Sequence, residues 1–378
     1  MSRGFDVVVV GGGIMGCASA FFLRRRGLSV ALLERGLTGQ QASGTNFGNV
    51  RRQGRYLHQL PLANRARAIW GRLPELIGED CEFVPSGHLR VAYAAAQAEK
   101  LEAYARDAAP LGLELEMISA NALRDRYPYL GREVVAGCLA PVDGHANPRL
   151  AAPAFGRAAA RDGARVEEGC EVLSIAKTGE DFEVETREKG TFRAPVVLVT
   201  AGAWGGRLAE AFGESVPLSV HGPQMAVTEP LPYRLGPTFG VSTPHVFETV
   251  YFRQVKRGNI VYGGSTRGPA SNETNRAAVL PENILGQFAQ MRRVMPGLAA
   301  VNIIRSWSGV ESYLPDDVPI MGPSGRVPGL FYAFGFCGAG FQIGPGVGEV
   351  MAELIATGAT STPIAPYAIS RFAQGQAA

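Results

Sequence analysis

Phe5-Asp6-Val7-Val8-Val9-Val10-Gly11-Gly12-Gly13-Ile14-Met15-Gly16, running on through Arg24-Arg25-Arg26-Gly27 to Val30-Ala31-Leu32-Leu33-Glu34, decides the fold. The β-branched run from Phe5 to Val10 reads as a strand buried on both faces of a parallel sheet. Gly11-x-Gly13-x-x-Gly16 follows at once and opens a helix predicted over Ile14 to Arg26. Gly27 stops that helix, and Leu28 to Leu33 predicts a second strand with Glu34 at its tip. Each glycine has a task at a dinucleotide: Gly11 permits the tight turn, Gly13 lets backbone amides approach a pyrophosphate, and Gly16 brings helix and strand together. The pyrophosphate belongs on the helix N-terminus and the Glu34 carboxylate on ribose hydroxyls, which favours FAD or NAD over NADP.

The 378-residue chain carries 48 glycines, well above the usage of about 7% in ordinary proteins. With 46% hydrophobic and 19% charged residues and no G-X-Y period, that surplus fits neither collagen nor a low-complexity chain, and the length points to two domains. Lys and Arg number 37 against 34 Asp and Glu, and the densest basic cluster is only Arg24-Arg25-Arg26, so nucleic acid is not an expected partner. The N-terminus lacks a basic start ahead of an apolar region, and no apolar run reaches the about 18 residues of a span. A cytoplasmic protein without signal peptide or transmembrane segment is expected, any membrane contact being peripheral. Cys17, Cys81, Cys138, Cys170 and Cys337 are odd in number and scattered, which argues against a disulfide framework. His58, His88, His145, His221 and His245 lack metal-ligand spacing, so no metal site is expected.

Past Glu34 a repeating NAD domain should run into another short β and α unit. Instead comes the small, polar segment Gln40 to Asn49, which reads as a cofactor-lining loop. Two further Gly-rich strand-to-helix junctions follow, Val196 to Trp204 and Gly335 to Gly348. Three such junctions exceed what a pyrophosphate needs, and a flavin explains them better: a helix N-terminus aimed at its ring stabilises the negative charge of the reduced form. The predicted cofactor set is Gly11, Gly13, Ile14, Met15, Gly16, Glu34, Arg35, Ala42, Ser43, Asn46, Gly48, Asn49, Val172, Ala201, Gly202, Trp204, Gly338, Gly340, Phe341 and Gln342.

The opening βαβ unit, Ala42-Ser43-Gly44-x-Asn46, Asp143-Gly144-x-x-x-Pro148, Ala201-Gly202-Ala203-Trp204, Val250-Tyr251-Phe252-Arg253 with Gly263-Gly264, Leu314-Pro315-Asp316-x-x-Pro319-Ile320-Met321-Gly322 and the terminal Gly-rich segment together resemble the D-amino acid oxidase (DAO) family. The resemblance spans nearly the whole chain in the family's order. It implies an FAD enzyme, glycine oxidase-like in fold, that oxidises the carbon-nitrogen bond of an amino acid or N-substituted glycine. Asn46 to Arg55 and Gly340 to Pro345 look most like bacterial D-hydroxyproline dehydrogenases and the beta subunits of opine oxidases. The implied substrate is thus a D-amino acid or cyclic secondary amino acid, D-hydroxyproline or D-proline foremost. The alternative is an FAD-bearing beta subunit of a hetero-oligomeric opine, sarcosine or proline oxidase with little activity alone. Oxygen, a respiratory chain and a partner subunit stay open as electron acceptors.

Two departures bear on substrate. Many members carry an arginine for the substrate carboxylate in G-L-R-P-x-x-P-D, whereas Gly309-Val310-Glu311-Ser312-Tyr313-Leu314-Pro315-Asp316 puts Glu311 in its place. A buried carboxylate still needs a charge-assisted partner, so Arg51, Arg52, Arg55 and Arg253 become the candidates. The terminal segment also replaces G-H-S-G-H-G with Phe336, Cys337 and Ala339 between its glycines, removing a histidine relay. Cys337 is expected to pack as a small apolar residue, without covalent attachment to the flavin. Tyr251, on a strand predicted over Phe247 to Arg253, is the remaining candidate, for orienting the substrate. Hydride transfer from a neutral amine needs positioning and no dedicated base.

The expected fold is α/β (α+β), a Rossmann-like FAD domain beside a mainly antiparallel-sheet domain. The FAD domain is drawn as 1–80, 145–215 and 305–378, and the substrate domain as 81–144 and 216–304, whose strands should pair into one antiparallel sheet. Helices are predicted over Tyr56 to Leu76, Ala94 to Leu111 and Pro281 to Val294, and the tail Ser361 to Ala378 is expected to be poorly ordered.

Overall fold

The computed structural model describes residues 3–233 and 235–375. Its central layer is a six-stranded sheet in the order Ile320–Pro323, Leu330–Phe334, Val196–Val199, Val7–Val10, Val30–Leu33 and Arg165–Glu167. All pairings are parallel except the first, which is antiparallel. The valine run is buried on both faces because each face has its own core. Val7 and Val9 join the cluster under the helices, while Val8 and Val10 face the cluster shared with a four-stranded sheet. That second sheet holds Arg3–Gly4, Thr191–Ala194, Asp181–Thr186 and Val172–Thr178. On the opposite side lie the helices Ile14–Arg25, Leu60–Trp70, Pro148–Arg161 and Gly340–Thr357.

The other large element is a nine-stranded sheet in the order Ile303–Ser308, Ser219–Pro230, Asn259–Gly268, Val250–Gln254, Thr238–Val241, His88–Ala92, Ala136–Ala140 and Glu116–Ser119, with Glu311–Tyr313 also pairing to Ser219–Pro230. The two inserted segments do meet in it, but their joint is parallel: Thr238–Val241 runs beside His88–Ala92 in the same direction. No hairpin connects these strands, so nothing in the chain imposes an antiparallel pairing there. A boundary at 305 falls inside Ile303–Ser308, the sheet's edge strand.

Other differences have local causes. The helix expected over Tyr56 to Leu76 is divided into Leu60–Trp70 and Leu73–Ile77, with Gly71 and Arg72 between them. Val246–Glu248 is a short 3-10 turn, and the strand is Val250–Gln254. The tail folds back onto the domain as far as Arg371: Tyr367 is fully buried, its hydroxyl reaching the His58 carbonyl, and Arg371 pairs with Asp316 at 2.8 Å. The end of the expected disordered stretch, 376–378, lies outside the described residues. Among the described residues, no helix is long and apolar enough to cross a membrane.

Candidate active site

The first strand, the head of its helix and the Gln40 to Asn49 segment meet along one wall of a cavity of ≈ 460 Å³. Gly11 has φ +109°, and a methyl group there would lie 2.7 Å from the Thr200 carbonyl oxygen. At Gly16 a methyl would lie 1.9 Å from the Gly11 carbonyl oxygen, so only hydrogen lets the helix start this close to the strand. Gly13 differs: within 4 Å a methyl there would meet only the Ser43 hydroxyl, at 3.1 Å. Protein packing thus accounts for Gly11 and Gly16, and the open backbone at Gly13 is left for an approaching phosphate. The helix has no side-chain cap of its own; Ser43 from the loop accepts from the Ile14 N–H at 2.9 Å.

Glu34 accepts from the Gly12 N–H at 2.7 Å and from the Gly36 N–H at 2.8 Å, one on each carboxylate oxygen. Each oxygen keeps a lone pair for a ribose hydroxyl. Arg35 lies 3.8 Å over the Trp204 ring and donates to Asn275, while the Trp204 indole donates to the Asn272 carbonyl. A hairpin of the 270–277 segment is thereby held beside the nucleotide end of the cavity.

Of the residues expected at a cofactor, all but Gly16 and Gly48 line this cavity. Gly48 turns the chain against Ala146, whose carbonyl oxygen a methyl would approach to 2.3 Å. The loop's polar side chains mostly shape the loop: the Asn46 amide donates to the Ala42 and Ser43 carbonyls and accepts from the Gly48 N–H. The terminal junction divides likewise. Gly338 and Gly340 line the cavity, whereas methyl groups on Gly344, Gly346 and Gly348 would strike Ile14, Ala66 and Ala18. Those three glycines seat Gly340–Thr357 against its neighbouring helices and do not line the cavity.

Among the described residues, three that line the cavity carry a buried polar atom with no hydrogen-bond partner there: Asn49 Oδ1, Arg55 Nη1 and Gln342 Oε1. Such atoms are costly in a dry interior unless a ligand meets them. Together with the open backbone at Gly13, the Glu34 carboxylate and two helix N-termini whose own cap residues make no side-chain bond, they fit a bound dinucleotide whose second half is a ring.

The arginine candidates separate. Arg52 is 8% exposed and pairs with the fully buried Asp143 at 3.0 Å while also donating to Asn64. Arg253 donates to the Phe47 carbonyl at 3.0 Å and packs against His145, whose pKa is pushed down to about 3 by burial and then by that guanidinium. Neither lines the cavity. Both are corrections to the sequence expectation: Arg52 neutralises a buried aspartate, and Arg253 pins the loop. Arg51, Arg55 and Tyr251 do line it. Arg51 donates to the Gln53 carbonyl and makes no ion pair among the described residues. Arg55 donates to the Ala339 carbonyl, and burial and then Arg51 hold its pKa down to about 9. The Tyr251 hydroxyl donates to the Gly264 carbonyl at 3.1 Å, and its ring meets Phe47 edge-on at 4.8 Å.

Arg267 also lines the cavity and was missed. A strand ended at the glycine pair Gly263-Gly264 would leave it out, but the strand continues to Gly268. Tyr251 pairs with Gly263, so alternation along the longer strand brings 265 and 267 to the same face. Cys337 accepts from the Leu314 N–H and donates to the Gly335 carbonyl, with φ +50°.

Comparison with known proteins agrees with this geometry. Glycine oxidase of Geobacillus kaustophilus is 28% identical over 98% of each chain, and an opine oxidase subunit of Rhizobium meliloti is 28% identical over 98% of this chain and 99% of that one. The crystal structure of L-proline dehydrogenase from P. horikoshii superposes with a TM-score of 0.91 at 25% identity over 99% of both chains. Residues 6–354 match the DAO family, described as FAD dependent oxidoreductase. The chain therefore belongs to the DAO family of FAD-dependent oxidoreductases, whose dinucleotide accounts for the glycine-lined wall.

Proposed function

We propose that the chain oxidises the carbon-nitrogen bond of a D-amino acid or cyclic secondary amino acid, D-hydroxyproline or D-proline foremost, to the imino acid. Bound FAD supplies the two-electron redox chemistry. Gly11, Gly13, Ser43 and Glu34 would hold its nucleotide half, and Gly338, Gly340 and Gln342 would lie along its ring. The observation that carries the substrate reading is Arg51, a guanidinium on the cavity wall without an ion-pair partner among the described residues. A substrate carboxylate supplies the missing charge. Tyr251, held by Gly264 and Phe47, lines the same cavity and would orient the substrate. The likeness to an L-proline dehydrogenase and a glycine oxidase supports small amino acids as the class.

Anaerobic addition of D-hydroxyproline, D-proline, L-proline, sarcosine and glycine to the flavin-loaded protein tests this. Bleaching of the oxidised flavin by a cyclic D-amino acid is expected, and a loaded flavin that none of the five bleaches overturns the reading. A second reading has its own support, because the opine oxidase subunit and the sarcosine oxidase beta chain of an Arthrobacter species align along 98% and 99% of this chain. In that reading this chain is the FAD-bearing member of a hetero-oligomer. It predicts bleaching by substrate with slow turnover that rises when partner subunits are co-expressed.

A further inference from the structure

We propose that Glu311 binds the cationic nitrogen of the substrate and accepts one of its protons, so that oxidation proceeds from the neutral amine. The inference rests on the amino-acid reading above and names the group that handles the amine. Glu311 begins the short strand Glu311–Tyr313, with His221 opposite it on Ser219–Pro230. Its side chain lines the cavity. One carboxylate oxygen accepts a hydrogen bond from the Tyr313 hydroxyl at 2.9 Å; the other has no hydrogen-bond partner among the described residues. The carboxylate makes no ion pair among those residues either. Arg267 does not bridge to it but lies flat over the Tyr313 ring at 3.6 Å. A methyl group on Gly338 would lie 3.4 Å from both Glu311 Oε2 and the Tyr313 hydroxyl, so the carboxylate stands against the turn that leads into the last helix.

The cavity is therefore polarised. Glu311 marks one part of it and Arg51 another, and Tyr251 lies within electrostatic reach of both and of Arg267. A zwitterionic amino acid carries the matching dipole. Its carboxylate is repelled by Glu311, and its ammonium is drawn there. The groups facing Glu311 are Tyr313 on its own strand, Arg267 on Asn259–Gly268, Tyr251 on Val250–Gln254 and His221 across the strand pair. Burial raises the Glu311 pKa above the ordinary carboxylate range, opposed by the Tyr313 hydrogen bond and by Arg267. A carboxylate so placed is a better proton acceptor than one in water. In the step itself one ammonium N–H bond breaks and one O–H bond forms on Glu311, with no change of oxidation state. The freed nitrogen lone pair then forms the carbon-nitrogen double bond as the α-hydrogen leaves with its electron pair, the flavin of this family being the acceptor.

Two probes separate amine recognition from carboxylate recognition in the holoenzyme. α-Methyl-D-proline has the amine but no α-hydrogen and cannot be oxidised; cyclopentanecarboxylate has a similar ring without nitrogen. Binding of each is followed by calorimetry and by perturbation of the flavin absorbance in the wild type, Glu311→Gln and Glu311→Asp. The expected result is that the wild type prefers α-methyl-D-proline and that Glu311→Gln weakens it about tenfold. Cyclopentanecarboxylate should bind the Gln variant unchanged or tighter, and Glu311→Asp should restore part of the preference. With an oxidisable substrate, flavin reduction in Glu311→Gln should rise with pH toward the amine's own pKa, more steeply than in the wild type. Equal weakening of both probes, or a wild type with no preference for the amine probe, overturns the assignment. If the amino acids above bleach the flavin while Glu311→Gln binds α-methyl-D-proline normally, only the role of Glu311 falls. If none bleaches it, the amino-acid reading falls.

Discussion

Replacing Arg51 by Met and, separately, Arg52 by Met should give opposite outcomes, although the residues are adjacent in sequence. Arg51 is a cation among cations. A methyl group on Gly54 would lie 2.3 Å from Arg90 Nη1 and 3.5 Å from Arg51 Nη1, and burial followed by Arg51 holds the Arg90 pKa down to about 10. In the free protein the Arg51 charge is opposed by burial and by its neighbours Arg55 and Arg90 and only partly offset by Asp143, so Arg51→Met should leave thermal stability unchanged or raise Tm by about 1–2 °C. In the complex the same change removes the charge-assisted hydrogen bonds to the substrate carboxylate. At about 3 kcal/mol for the set, affinity falls about a hundredfold. Arg52→Met instead strands Asp143, which is fully buried and keeps only the Arg52 and Gln53 backbone N–H donors, at a cost of about 3–5 kcal/mol. Substrate affinity of the surviving folded fraction should stay near that of the wild type. Thermal unfolding of the holoenzyme and anaerobic flavin titration with the best substrate read both quantities. An Arg51→Met protein with normal affinity, or one that is destabilised as much as Arg52→Met, refutes the assignment of Arg51 to the substrate.

Gly16→Ala forces a methyl to within 1.9 Å of a backbone oxygen that cannot rotate away. The purified variant should therefore lose most of its flavin, read as the flavin-to-protein absorbance ratio. His145, 4% exposed, titrates at about 3 in the folded protein against an ordinary 6.5, so the unfolded chain binds the extra proton between those values. Stability should fall as pH drops from about 6.5 toward 3, at about 1.4 kcal/mol per pH unit for this one group. His145→Gln should flatten that acid limb, and an unchanged limb in a folded variant contradicts the account. Cys337 has both its donor and acceptor capacity engaged by backbone, and burial pushes its thiol up to about 11. Acid precipitation should release the flavin into the supernatant, whereas flavin retained on the precipitate would show a covalent link.

Local order was enough to read the dinucleotide unit. A strand, a glycine turn, a helix and an acid-tipped strand are contiguous, and each residue's task follows from its immediate neighbours. The same holds for Trp204 and Gly340 at strand-to-helix junctions and for Ser43 in the small, polar loop, all visible as composition. The glycine surplus was legible as close approach, yet not as close approach to what: Gly344, Gly346 and Gly348 clear side chains of neighbouring helices. That distinction depends on which helix packs where.

The substrate end was the least legible, because its residues come from strands far apart in sequence whose pairing sets which side chains share a face. Arg267 follows from register with Tyr251, and Arg52 is excluded by Asp143, 91 residues away. An arginine in the sequence carries a charge but no address. The sequence by itself determined the nucleotide-binding fold, which rests on short-range steric rules, while the cofactor class and the family were legible through the resemblance of its motifs along the chain. Only the tertiary structure decided which cations pair with protein groups and which line the cavity, because a buried charge takes its meaning from the partner that desolvation forces on it.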